Sequence, residues 1–192
     1  ARVFQKAAEM KALYPSIIGI GIGGDERRTG AEPFRELYAE AKRNGLHLTA
    51  HAGETVGPEG IWSALNIGAE RIGHALSAGQ DPELIEVLAT KQVPVEICIS
   101  SNLRTGCCAR MEDHPVREYF EDGLMVTLNS DDPALFGSDL CGEYGLAHAE
   151  FHLTLEHLRE LAGNSIEASF LPPRKKLELL QRVEQYPPPV EK

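Results

Sequence analysis

Histidine, glutamate and aspartate recur where short apolar runs of this chain end. The segments are Gly23-Gly24-Asp25-Glu26, His51-Ala52-Gly53-Glu54, Gly73-His74, Ser100-Ser101-Asn102 and Ser130-Asp131-Asp132-Pro133. His51, His74, Asp131 and Asp132 offer imidazole and carboxylate, the ligand types that suit a catalytic zinc. Glu54 lies three residues past His51, where a turn can return its carboxyl over the same pocket. A carboxyl beside a metal is a natural proton shuttle. Each segment alone has a plainer meaning: a hydrogen-bonded structural histidine, an Asp-Asp-Pro turn or helix cap, a Gly-rich loop. Five in succession point to an assembled site.

The elements that would position them alternate in type. Residues 17–24 read as a buried strand. Residues 33–44 read as a helix with Phe34, Leu37, Tyr38 and Ala41 on one face. A strand is expected over 46–51, a helix over 58–68 carrying Ile61, Trp62 and Leu65, and a very short strand over 71–74. Asp81-Pro82 opens a helix with a capping acceptor and proline in the first helical position. A fourth strand is expected over 93–100, followed by a loop through Arg110. A helix near 114–122 precedes a fifth strand over 124–129. The chain from about Glu143 to Tyr186 reads as helices, one capped by Thr154 with Leu155, Leu158 and Leu161 as its buried stripe. Strands alternating with helices imply α/β architecture with a parallel sheet, either open or part of a closed barrel. In such a sheet the C-terminal strand ends share one face, where active sites assemble.

Composition bounds the function. Lys+Arg number 19 against Asp+Glu 29, a formal net charge of −10, which argues against nucleic acid as a partner. No apolar stretch approaches the roughly 18 residues of a membrane span, so no membrane partner is expected. Cys98, Cys107, Cys108 and Cys141 form no CxxC pair and read as reduced thiols of a cytoplasmic protein. His148 and His152 are spaced to share a helical face, but Ala149 stands where a zincin motif requires glutamate, so they read as a decoy.

The motifs, taken in order, resemble the adenosine deaminase family of the amidohydrolase superfamily. The resemblance rests on GGDE at 23–26, HAGE at 51–54, RIGH at 71–74, SNLRTG at 101–106 and LNSDDP at 128–133, and it runs over nearly the whole chain. It implies the C-terminal part, about five strands, of a (β/α)8 TIM-type barrel with a helical C-terminus and one zinc ion (Zn2+) per site. It further implies that His51 and Asp131 ligate zinc, that Glu54 protonates purine N1, and that His74 orients and deprotonates the attacking water. Asp132 would contact N7, and the Gly24 backbone amide N3. The H-x-E…P-C-x-x-C signature of the cytidine-type deaminases is absent. The implied reaction is hydrolytic deamination of a 6-aminopurine nucleoside, adenosine or deoxyadenosine, to inosine or deoxyinosine and ammonia. The wording GIGGDE and SNLRTGCC also resembles relatives that deaminate 6-aminodeoxyfutalosine in menaquinone biosynthesis.

Three departures from the family pattern stand out. The N-terminal H-x-H that supplies two further zinc ligands is not in this chain, and a barrel takes roughly 250 residues. Residues 1–186 are therefore expected to be one metal-dependent deaminase domain lacking its N-terminal part, followed by a Pro-rich tail at 187–192. Such a piece would bind zinc weakly alone, and the N-terminal half of the barrel would be its partner. Ala75 follows His74 where glycine is common, with a methyl group that would crowd the pocket or alter the backbone. Ile99 replaces a common proline. The rival readings are a catalytically inactive nucleoside-binding relative and a different metal hydrolase on the same barrel.

Overall fold

The computed structural model describes residues 2–186 and divides into two compact units, one ending at Glu96 and one beginning at Ile97. The first opens with α1 (Arg2–Leu13), in a region to which the sequence pattern assigned nothing. Strand β1 (Gly19–Ile22) follows, then a 3-10 turn (Glu32–Phe34) running into α2 (Arg35–Arg43). Next come β2 (His47–Ala52), α3 (Pro58–Asn66), β3 (Arg71–His74) and α4 (Pro82–Lys91). Strand β4 (Val95–Ile97) crosses the boundary between the units.

Within the first unit the strands are parallel and ordered β1-β2-β3-β4. Strand β2 alternates strictly, with Leu48, Ala50 and Ala52 buried and His47, Thr49 and His51 half-buried. Apolar side chains on one face therefore pack under helices, while the other face carries the polar set. Tyr38, Ile61, Ile72, Leu84 and Leu88 fill that core and are completely buried, each worth roughly 1.5–3 kcal/mol. Asp81 starts α4 as its sequence suggests: Oδ1 accepts the Glu83 and Leu84 amides, and Oδ2 accepts the Trp62 indole N–H at 2.8 Å.

The second unit departs from the expected pattern at its start. Strand β4 ends at Ile97, and α5 (Ile99–Arg104) occupies Ser100-Ser101-Asn102. These residues form a first helical turn and not a strand end, because a short apolar run does not by itself distinguish strand from buried helix. Helix α6 (Val116–Glu121) leads to β5 (Val126–Leu128), which follows β4 in hydrogen-bonding order; the Asn129 amide donates to the Ile97 carbonyl at 2.8 Å. Four helices complete the unit: α7 (Pro133–Phe136), α8 (Leu140–Ala149), α9 (Leu155–Glu167) and α10 (Pro173–Gln185). Thr154 caps α9 through a reciprocal pair with His157. Of the expected stripe, Leu161 is buried and Leu155, in the first turn, is exposed. His148 lies in α8 and donates from Nδ1 to the Leu153 carbonyl, whereas His152 lies past the helix end at φ 54°; the pair does not share a helical face. The expected tail at 187–192 lies outside the described residues. Among those described, no helix is long and apolar enough to cross a membrane.

One buried histidine supports this unit. His114 is 4% exposed; its Nδ1 accepts the Val116 amide and its Nε2–H donates to Asn102 Oδ1 at 3.2 Å. The Nδ1 contact needs the neutral ring, and burial pulls its pKa down to about 4 from 6.5. Because the folded pKa lies below the unfolded one, this stabilisation is complete above pH 6.5 and lost as pH falls toward 4. The loss amounts to something on the order of 3 kcal/mol. Urea unfolding of wild type and His114→Gln between pH 7.5 and 4 should show a distinctly flatter pH dependence in the variant; parallel curves would refute this role.

Candidate active site

The register of the first unit decides which side chains meet. His51 stands opposite Gly73, and Ala52 opposite His74, so the ends of β2 and β3 lie side by side. The His51 and His74 rings are 4.4 Å apart between centroids, inclined at 60°. After Ala52 the chain turns sharply at Gly53 (φ 75°), where a side chain would collide with Ile61 at 2.5 Å. The turn returns Glu54 over the histidines: Oε2 is 3.3 Å from His51 Nε2, and Oε1 is 3.4 Å from His74 Nδ1. The Glu54 side chain is 9% exposed and that of His74 is 7%. His51, Glu54 and His74 thus present ligand atoms within 4.8 Å of one another. The His51 imidazole is a ligand type that suits zinc, and Glu54 and His74 lie close enough to exchange protons with a group bound beside it.

Glu26, which the sequence motif contained but to which no role was attached, sits against the same turn. Oε2 accepts the Gly53 amide at 2.6 Å; Oε1 accepts the Glu54 and Thr55 amides and lies 3.1 Å from His51 Nε2. Burial by itself raises the Glu26 pKa, but the hydrogen bonds from His51 and the three amides outweigh it and lower it to about 2. Hydrogen bonds to Glu26 and then Glu54 raise His51 to about 9, so without a metal the imidazole is protonated at neutral pH. Gly24, at φ 123°, lines a cleft of about 400 Å³ together with Asp25, Glu26, Phe34, His51 and Val56.

Asp131 and Asp132 belong to the second unit. Asp131 is exposed, adopts φ 55°, and accepts the Ser101 hydroxyl on Oδ2 at 2.6 Å. Ser101 is a further residue that the motif contained without a role. Asp132 precedes α7, yet its side chain makes no capping hydrogen bond, so its carboxylate is not committed to the helix. Glu143 of α8, 1% exposed, accepts the Ser100 amide at the start of α5.

Three of the five non-glycine residues with positive φ among those described lie at these positions, the others being Gln92 and His152. His74 (φ 67°), Ala75 (φ 50°) and Asp131 (φ 55°) occupy the left-handed region that non-glycine residues avoid. Ala75 is completely buried, and its amide donates to the Ala52 carbonyl at 3.1 Å. The methyl group is accommodated in the core, and the strained backbone is retained with alanine where glycine would be easier.

The adenosine deaminase family model matches residues 3–186. The chain belongs to the adenosine deaminase family. It is 40% identical over 171 residues to an aminodeoxyfutalosine deaminase of Streptomyces coelicolor, covering 88% of this chain and 44% of that protein. An adenosine deaminase of Klebsiella pneumoniae is 38% identical over 190 residues, covering 95% and 57% respectively. The crystal structure of an adenine deaminase from Arthrobacter aurescens superposes with a TM-score of 0.87 at 32% identity, over 95% of this chain and 57% of that one. The fold is accordingly α/β, part of the family's (β/α)8 barrel. The chain spans about half the length of the relatives it matches.

The turn at Gly53 is the feature most open to test. Gly53→Ala combines a left-handed backbone penalty with a collision against buried Ile61, a loss of roughly 2–4 kcal/mol. Chemical denaturation should show that loss, and Gly53→Ala/Ile61→Val should recover only part of it, because the backbone penalty remains. A neutral Gly53→Ala would contradict the packing described.

Proposed function

We propose that this chain carries the proton-transfer groups and part of the zinc site of a hydrolytic deaminase acting on 6-aminopurine nucleosides, adenosine or deoxyadenosine. The observation that carries this reading is the convergence of His51, Glu54 and His74 at the adjoining ends of β2 and β3. Family membership supplies the reaction class.

His51 and Asp131 would hold the zinc ion, which when bound lowers the pKa of the attacking water toward neutrality. His74, buried and beside Glu54, takes the proton from that water as it adds to C6. Glu54 donates its proton to ring N1, making C6 electrophilic; it is nearly buried and lies beside both histidines. Asp132 contacts N7, and the Gly24 amide contacts N3. The proton held by His74 then passes to the amino nitrogen and the C6 hydroxyl gives its proton to Glu54 as the C6–N bond breaks, so that ammonia leaves and the 6-oxopurine remains.

A second reading has its own support. The 40% and 41% identities to two Streptomyces aminodeoxyfutalosine deaminases favour 6-aminodeoxyfutalosine as the nucleoside. Both readings use the same site and differ in the group carried by the sugar.

The deciding assay is ammonia release by the complete zinc-loaded gene product, with adenosine, deoxyadenosine and 6-aminodeoxyfutalosine supplied separately. Turnover of at least one is expected, and the preferred one selects the branch. Glu54→Gln should lower kcat by about 10²–10⁴-fold while zinc content is unchanged. Silence on all three substrates with stoichiometric zinc would overturn the proposal.

A further inference from the structure

We infer that Glu26 is a positioning residue that holds the catalytic turn in shape from beneath. Strand β2 ends at Ala52 and α3 begins at Pro58, so the amides of Gly53, Glu54 and Thr55 belong to neither a ladder nor a helix. All three point to one carboxylate: Gly53 to Oε2 at 2.6 Å, Glu54 to Oε1 at 3.0 Å and Thr55 to Oε1 at 3.1 Å. His51 Nε2 adds a fourth contact at 3.1 Å. Successive amides converging on one anion form a backbone nest, here filled by the chain's own side chain.

The contacts of the group make it a positioning residue. A carboxylate offers about four lone-pair sites, and Glu26 receives four donors. It is 8% exposed. Three of these donors meet Oε1 and one meets Oε2, and in every contact Glu26 is the acceptor. Removing it would leave three amides unpartnered, a costly arrangement for buried donors. The carbonyl side of the turn is tied separately, because Gly53 O accepts the Ser77 amide at 3.0 Å. Glu26 therefore governs the amide side of the turn, and through it the position of Glu54 above His51 and His74. The Glu26 of the GGDE segment thereby acquires a function distinct from that of Gly24 two residues earlier.

The consequence for turnover rests on the deaminase reading; the consequence for the backbone does not. Amide hydrogen exchange and steady-state kinetics should be compared for the complete zinc-loaded protein, Glu26→Gln and Glu26→Ala. Glu26→Ala should speed exchange at residues 53–55 by roughly tenfold or more, the response to losing a charge-assisted hydrogen bond, with β2 and β3 unaffected. Glu26→Gln keeps one acceptor oxygen and should fall between alanine and wild type. On the preferred substrate kcat should drop by about 10–100-fold, as for other residues that orient a metal-site ligand, with KM changed far less. Unaltered exchange at 53–55, or a uniform rise that includes β2 and β3, would overturn the inference. Should Glu26→Ala fail to fold, Glu26→Gln alone decides on the same exchange criterion. Faster local exchange in a protein whose wild type deaminates nothing would uphold Glu26 as the anchor of the turn and reject the enzymatic reading.

Discussion

Parallel pairing of β2 with β3 in a single register is the constraint on which the site depends. Because His51 faces Gly73 and Ala52 faces His74, two imidazoles separated by 22 intervening residues end side by side. A slip of one residue would reverse which side chains face the core. The slip is resisted by Leu48, Ala50, Ala52 and Ile72, all buried. The apolar core thus fixes the register and so the adjoining strand ends; the His51 and His74 rings meet there at 4.4 Å with His74 already out of strand geometry at φ 67°.

Burying a charged group carries an energetic cost, and in each unit acidic side chains meet polar contacts. Glu26 meets four donors, Asp131 accepts the Ser101 hydroxyl, and Glu143 accepts an amide at the start of α5. Positive φ angles at His74, Ala75 and Asp131 are the backbone counterpart. Left-handed non-glycine residues cluster where tertiary structure overrides local preference, characteristically at functional sites.

The sequence pattern conveyed the alternation of strands and helices because burial on the two faces of a parallel sheet leaves short apolar runs punctuated by polar loops. Its errors lie where that signal is ambiguous. Cys98 and Ile99 extend the apolar run of β4 into what is the first turn of α5, and run composition alone does not reveal the bend. Leu155 matched the helical stripe yet is exposed in the first turn of α9. Helix α1, with modest amphipathicity, carried no boundary signal that the pattern used.

For the site itself, the sequence by itself determined the chemistry on offer: two histidines, Glu54 and an Asp-Asp pair, each placed just after an apolar run. It determined the family, since those motifs in that order are carried by the residues themselves. Tertiary structure alone decided that Glu54 reaches both histidines and that Glu26 anchors the turn beneath it. It also decided that Ala75 keeps a left-handed backbone without glycine. The physical reason is that hydrogen-bond geometry depends on distances set by register, turn conformation and core packing. The donors that fill Glu26 come from residues 51 to 55, some 25 to 29 positions along the chain, a separation that no local pattern encodes.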